Sequence, residues 1–276
     1  MTGPGIAADS SSAALTAQLD EVWTSLESLG GSLTDKDWSL PTPCPGWPVS
    51  AQYAHVIGTE SMLLGRPNPT VDPGSPEHVR NQIGGFNEAW VVALAELSRS
   101  AVLDQFSEVI AARRQALSKM TEEDFSAPSW TPIGQADYRR FMQIRVFDCW
   151  VHEQDVRDAL GRPGHDSGPA AEQSVDEIVR ALGYIVGKKA GAPAGSIVRF
   201  ALTGPLERQV DVSVVDGRAR VVDSTDAAPT VTLTVPASTF ARLACGRVDP
   251  ASVSGVTVDG DEALGRRVVE NLPFTI

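Results

Sequence analysis

Long apolar runs, paired cysteines and basic clusters are all missing from this sequence of 276 residues. Nowhere do about 18 consecutive apolar residues occur, the length that an ordinary membrane-spanning helix requires, so we expect no membrane span. The N-terminal stretch MTGPGIAADSSS lacks a positively charged segment followed by an apolar one, and this argues against a secretory signal peptide. These absences predict a cytoplasmic protein.

The sequence is also poor in cysteine. Cys44, Cys149 and Cys245 are odd in number, far apart and without C-x-x-C spacing, so they predict reduced thiols rather than a disulfide framework. Cys44 lies in a proline-rich turn, and we expect no base near it. Cys149 has the character of a small core residue. We therefore expect no catalytic cysteine.

Excess positive charge is absent as well. The 35 acidic and 23 basic side chains give a formal net charge of −12, which would repel a phosphate backbone and argues against nucleic acid as a partner. The sequence has no G-x-G-x-x-G, no G-x-x-x-x-G-K-[ST] and no G-x-S-x-G. Nucleotide binding and the serine-hydrolase elbow consequently have no local support.

What the sequence does contain is typical of a soluble globular protein, with 42% apolar and 21% charged residues. Its length allows two ordinary domains, each with its own core. Periodic apolar residues and proline or glycine stop signals predict a helical N-terminal part. Its expected helices cover 13–30, about 48–65, 77–120 as one long or two shorter helices, and 135–160.

The composition and pattern of the sequence change at Gly195, after a further predicted helix over 169–189. Segments rich in β-branched residues follow, and Asp216-Gly217 is a hairpin signal between two of them. The predicted strands are IVRFALTG, LERQVDVSVV, RARVVDS and VTLTV. Helices near 237–245 and 261–271, separated by GVTVDG, complete a C-terminal part that we predict to be α+β.

Two histidines and one aspartate offer a candidate metal site. His55 and His152 lie inside predicted helices, and Asp148 precedes His152 by four residues, so both side chains leave one helix face. Two imidazoles and one carboxylate can hold a divalent ion and leave positions open for a substrate. On pattern alone, an ordinary Asp–His helix pair and a satisfied buried His55 remain alternatives.

Several neighbours are secondary candidates. Arg145 lies one turn before Asp148, and its guanidinium could point toward an anionic substrate carboxylate or toward Asp148 itself. Glu153 or Asp155 could hold the second ring nitrogen of His152. The remaining histidines, His78 and His165, stand in polar stretches with glycine or proline nearby, and we expect them to be exposed.

At these residues the chain resembles the mycothiol-dependent maleylpyruvate isomerases and related DinB-like metal enzymes of mycothiol-producing bacteria. The resemblance spans nearly the whole chain and rests on two segments, PCPGWPVSAQYAHVIG with His55 and RVFDCWVHEQDVRDALG with Asp148 and His152. The later GDEALGRRVVENL is similar to the end of the sterol-carrier-like domain that often follows the bundle.

The resemblance implies an α+β chain with a DinB-like four-helix bundle over 1–165 and a smaller sterol-carrier-like domain over 166–276. It also implies a divalent metal, zinc first and nickel or iron as alternatives, held by His55, Asp148 and His152. The chain departs from the isomerase pattern in one ligand, because the characterised type has glutamate where this chain has the shorter Asp148.

The function that the resemblance implies is thiol chemistry. Mycothiol, a low-molecular-weight thiol, would attack a small electrophile, giving S-transfer or a cis–trans isomerisation through a transient adduct, with Arg145 as the catalytic candidate. The expected partners are the thiol and the electrophile, and the expected state is a monomer or small homo-oligomer. A metal hydrolase on the same ligands and a non-catalytic small-ligand-binding protein are the alternative hypotheses.

Overall fold

The computed structural model describes residues 5–223 and 227–275. Within them the chain forms two compact units. One is Ser10–His165, and the other combines the segment ending at Asp9 with the residues from Asp166 onward. The first unit is helical and the second, smaller one mixes helices with a five-stranded sheet. The predicted α+β class, with a helical part preceding an α+β part, is confirmed.

Four long helices build the first unit. Helices α1 and α3 each pack against both α5 and α7, and α4 packs against α3. This arrangement is a four-helix bundle in which apolar faces meet at the centre. The helices of the unit are α1 (Ser12–Ser32), α2 (Asp35–Trp38), α3 (Val49–Leu63), α4 (Gln82–Leu94), α5 (Arg99–Leu117), α6 (Glu122–Ser126) and α7 (Tyr138–Leu160).

Helix α3 is the most enclosed of these helices, and every residue from Ala51 through Ser61 is buried. Pro48 is the N-cap residue, immediately before the first turn, so the helix begins within one residue of the predicted start at about 48. Gly58 allows a close approach to α4, because a Cβ there would lie 2.5 Å from the ring of Trp90. A helix buried on all sides must satisfy its polar side chains inside the protein.

Local hydrogen bonding corrects some predicted boundaries of the first unit. The helix predicted from Gln135 begins at Tyr138, because residues 134–137 form strand β2, which pairs antiparallel with β1 over 128–131. Asp137 then caps α7 by accepting the Arg140 N–H. The short helices α2 and α6 were not predicted, although each begins with a capping box.

The second unit carries a sheet in the order β5-β4-β3-β6-β7. All neighbouring pairs are antiparallel except β3 with β6. Helices α8, α9 and α10 pack against strands of this sheet. The elements are α8 (Pro169–Tyr184), which continues as a π-helical turn (Ile185–Lys189), β3 (Ile197–Thr203), β4 (Arg208–Val215), β5 (Arg218–Val222), β6 (Val231–Pro236), α9 (Ala237–Ala244), β7 (Thr257–Gly260) and α10 (Glu262–Glu270).

The four predicted strands are confirmed, and the hairpin signal lies where it was expected. Asp216 and Gly217 have φ values of 50° and 72°, the left-handed conformations that a two-residue type I′ turn requires. Strand β7 was not predicted, because only four residues of GVTVDG pair, at an edge of the sheet. In the described parts of the chain, no helix is long and apolar enough to cross a membrane.

Candidate metal centre

The three predicted ligands lie together inside the bundle. One ligand atom each from His55, Asp148 and His152 falls within 4.8 Å of the other two. The Nε2 of His55 lies 2.8 Å from Asp148 Oδ2, and the Nε2 of His152 lies 3.5 Å from Asp148 Oδ1. Helix α3 supplies the first histidine, and one face of α7 supplies the other two residues. Both histidines are buried, whereas the aspartate side chain is 29% exposed.

Side chains around the two imidazoles fix their orientation. The indole ring of Trp47 lies 5.2 Å from the ring of His55 and 5.6 Å from that of His152, measured between centroids. The Nδ1 of His152 lies 2.6 Å from the Gln52 amide oxygen and 3.3 Å from an Asp155 carboxylate oxygen. An acceptor at Nδ1 holds the proton there and leaves Nε2 directed at Asp148.

The protonation of the two histidines is set by different neighbours. Burial lowers the pKa of His55, and the Asp148 charge offsets this only in part. Burial alone would also lower the pKa of His152, but the hydrogen bonds that its ring donates to Asp148 and Asp155 outweigh it, and the pKa is raised. Burial would raise the pKa of Asp148, whereas the charges of His55 and Arg145 hold it well below its usual value. The carboxylate is therefore ionised.

This donor set fits a divalent metal ion. Two imidazole nitrogens and an ionised carboxylate converge, and Gln52 holds the far nitrogen of one imidazole, as outer hydrogen bonds do in metal sites. The Nδ1 of His55 has no hydrogen-bond partner among the described residues, so packing against Trp47 orients that ring. Three protein ligands leave coordination positions for a small molecule.

A buried ion-pair network adjoins the cluster. Glu60 of α3 is fully buried and accepts hydrogen bonds from Arg145 at 2.7 and 3.0 Å and from Arg113 at 2.7 Å. Arg145 also donates to Asp148. Of the two orientations predicted for Arg145, the guanidinium thus takes the one toward Asp148, and its side chain is only 2% exposed.

Glu60 was not identified from the sequence. A single carboxylate in a helix with no other Asp, Glu, Lys or Arg would have been the signal, because such a group requires a cationic partner when it is buried. Burial alone would raise the pKa of Glu60, but the charges of Arg145 and Arg113 outweigh it, so its pKa lies below the usual value. Glu60 is consequently an ionised residue in the core.

The cysteines differ in their relation to the site. Cys149 is buried, accepts a hydrogen bond from Arg145 at 3.1 Å, and burial raises the pKa of its thiol to about 12, so it is no nucleophile. The expectation that Cys44 has no base nearby is wrong. Its sulfur lies within 4.8 Å of a ring nitrogen of His152 and a carboxylate oxygen of Asp155. The fold brings the proline-rich turn over α7.

The remaining histidines are not exposed as predicted. His78 bonds Glu88 at 2.9 Å through Nε2, and the same carboxylate oxygen accepts the indole N–H of Trp47. His165 lies between Glu153, at 2.6 Å from Nδ1, and Glu21, at 2.9 Å from Nε2. Glu153, one of the two predicted outer partners of His152, therefore bonds His165 instead.

Replacing His165 with asparagine is expected to destabilise the protein more at pH 6 than at pH 9. Burial lowers the pKa of His165, but Glu153 and Glu21 outweigh it, so the folded-state pKa is raised. Its stabilising contribution is full below the unfolded-state pKa and is lost as pH rises through the folded-state value. Because hydrogen bonds between charged groups are lost, we expect the free energy of unfolding to fall by about 1–3 kcal/mol at pH 6.

Urea unfolding of both proteins at the two pH values measures this difference. Asparagine tolerates the left-handed backbone of His165, whose φ is 51°, so backbone strain does not confuse the comparison. An equal loss of unfolding free energy at pH 6 and pH 9 would rule out a charged His165.

Together the fold and the cluster define a class of protein: a helical bundle with a buried two-histidine, one-carboxylate site, followed by an α+β unit. The family comparison is more specific. The model of the mycothiol maleylpyruvate isomerase N-terminal domain matches residues 19–157, and the model of the C-terminal domain of the same family matches residues 172–267. The chain belongs to the mycothiol maleylpyruvate isomerase family, a family of enzymes.

Two solved structures share the fold of this chain, and two curated relatives match about half of it. Crystal structures of mycothiol-dependent maleylpyruvate isomerase and of its histidine-to-alanine mutant give TM-scores of 0.58 and 0.57 at 15% identity, over 89% of this chain and 91% of theirs. Two uncharacterised proteins, from Mycobacterium tuberculosis strains CDC 1551 / Oshkosh and ATCC 25618 / H37Rv, are 28% identical over 146 residues. The match spans 49% of this chain and about half, 52%, of each relative.

Proposed function

We propose that this protein is a metal-dependent enzyme that uses mycothiol to isomerise a small electrophilic substrate resembling maleylpyruvate, or to form a conjugate with it through the mycothiol sulfur. The observation that carries the proposal is the convergence of His55, Asp148 and His152 within 4.8 Å in a member of this family. In this proposal the bundle, over 1–165, carries the metal, and residues 166–276 form the sterol-carrier-like domain. The three cysteines form no disulfide, and this supports a reducing, cytoplasmic setting.

The metal ligands would be the two Nε2 atoms and the carboxylate of Asp148. A divalent ion there, zinc first and nickel or iron as alternatives, supplies Lewis acidity that lowers the pKa of a bound thiol. Gln52 keeps the His152 proton on Nδ1, so that Nε2 offers its lone pair. Trp47 packs against both imidazoles and excludes water from that side of the site.

Arg145 contributes through Asp148 in this proposal. Its guanidinium is engaged by Glu60 and Asp148 and is only 2% exposed, so it is poorly placed to hold a substrate carboxylate. Its positive charge keeps Asp148 ionised as a ligand. The thiolate and the electrophile would meet on the exposed side of Asp148, whose side chain is the most accessible of the three ligands.

Turnover with and without mycothiol tests the proposal. The protein would be purified from a mycothiol-free host, loaded with zinc and given maleylpyruvate, with isomerisation followed by proton NMR. We expect turnover with mycothiol and none without a thiol. Turnover of water-labile substrates without any thiol would instead indicate a metal hydrolase, and no turnover with a specifically bound apolar ligand would indicate a binding protein.

A further inference from the structure

Glu60 is shared by two buried arginines that differ in their relation to the candidate metal site. Arg113 and Arg145 are 1% and 2% exposed, and each donates to the carboxylate of Glu60 at 2.7 Å. Arg145 also donates to Asp148 through Nη1, whereas Arg113 also donates to Tyr138 and Met142. Only one of the two guanidinium groups therefore touches the candidate metal site.

The carboxylate of Asp148 needs an external restraint. Its Oδ2 lies 2.8 Å from His55, and the opposite Oδ1 faces His152 at 3.5 Å. The side chain is 29% exposed, so one side of it is open to water. Packing on that side does not restrain rotation of the carboxylate about its terminal bond. A guanidinium held at Oδ2 fixes that rotation and leaves Oδ1 facing His152.

The guanidinium of Arg145 is itself held in place by Glu60, on the side away from Asp148. Arg145 directs Nε and Nη2 at one oxygen of Glu60, at 3.0 and 2.7 Å, and this leaves Nη1 for Asp148. The planar fork of arginine can serve both carboxylates at once, which the single point charge of lysine cannot do. Two carboxylates and two guanidinium groups also balance in charge, so the buried network stays ionised.

We infer that Glu60 and Arg145 are positioning residues that orient the Asp148 carboxylate for metal binding, with Glu60 acting from the far side of the guanidinium. This inference rests on the proposed metal centre. Outer hydrogen bonds of this kind are worth about 10–100-fold in metal affinity. They also explain how the shorter aspartate serves at this position, since its rotation is restrained.

Charge-conserving substitutions test the inference without leaving a large cavity or an unpaired charge in the core. Zinc affinity would be measured by competition with a chromophoric chelator for the native protein and for Arg145→Lys, Glu60→Asp and Arg113→Lys, with thermal unfolding measured in parallel. We expect Arg145→Lys to weaken zinc binding by about 10–100-fold and Glu60→Asp to weaken it in the same direction. Arg113→Lys loses the same kind of bond to Glu60 and is expected to retain the native affinity.

The outcomes separate this inference from the proposed function. Native zinc affinity in Arg145→Lys would overturn it, and so would an equal loss in Arg113→Lys, because that loss would reflect a loosened core. Failure of the native protein to bind zinc at all would overturn the metal centre itself. Absence of mycothiol-dependent turnover in a protein that binds zinc would refute the proposed reaction and leave the positioning result standing.

Discussion

Replacing His55 or His152 with alanine is expected to lower mycothiol-dependent turnover by at least about 10³-fold. Stabilisation of charge by a bound metal is worth several kcal/mol of activation free energy, and each 1.4 kcal/mol is a factor of ten in rate. Either substitution removes one of the two imidazoles that meet at Asp148. The measurement is kcat/KM for the zinc-loaded proteins at pH 8.

The matched control is His165→Asn. His165 also lies in the first unit and also bonds carboxylates, but its partners are Glu153 and Glu21 rather than Asp148. At pH 8 this variant should keep the native turnover within about threefold, well under the 1.4 kcal/mol that a tenfold change represents. A His55→Ala or His152→Ala protein with more than a tenth of the native activity would argue that the replaced imidazole does not hold a catalytic metal.

Replacing Asp176 with alanine is expected to lower the free energy of unfolding of the second unit by about 3–5 kcal/mol. This is the cost of leaving a buried charge without its partner. Asp176 is fully buried and accepts hydrogen bonds from the amides of Ala7 and Ala8, at 3.0 and 2.7 Å, and from Arg208 at 2.5 Å. Two further nitrogens of that arginine are buried without a partner among the described residues. Asp176 therefore compensates this guanidinium.

Hydrogen exchange of the full chain, read by mass spectrometry on peptides from 169–215, measures this loss. Tryptophan fluorescence would not report it, since all six tryptophans lie between Trp23 and Trp150, in the first unit. Glu262→Ala is the control, because Glu262 and its partner Arg266 are both about two-thirds exposed, and such pairs contribute little. Equal protection of the second unit in both variants would contradict the assigned role of Asp176.

Elements with clear periodicity and clear ends were predictable from the sequence. Helix α3 follows Pro48, and α7 ends at Gly161 in the left-handed conformation, as the glycine-then-proline stop signal predicts. The spacing of Asp148 and His152 placed both side chains on one helical face. The short hairpin before α7 was missed, because its four-residue strands carry too few alternating positions to distinguish them from the start of a helix.

Residues whose roles depend on distant partners were not predictable. Glu60 meets its arginines 53 and 85 residues later in the chain, and nothing near it in sequence indicates them. His165 lies in a polar stretch that indicates exposure, yet Glu21, 144 residues away, encloses it. Local composition predicts exposure only when tertiary contacts do not intervene, and both cases are long-range ion pairs.

The metal content of the purified protein bears most directly on the proposed function. Elemental mass spectrometry would compare the native protein with His152→Ala, each purified without chelator and then offered zinc, nickel or iron(II). Near-stoichiometric metal in the native protein and its loss in the variant are the predicted result. If neither protein carries or takes up any of these metals, the three convergent side chains are an ordinary buried ion-pair cluster, and the proposed enzyme mechanism is wrong.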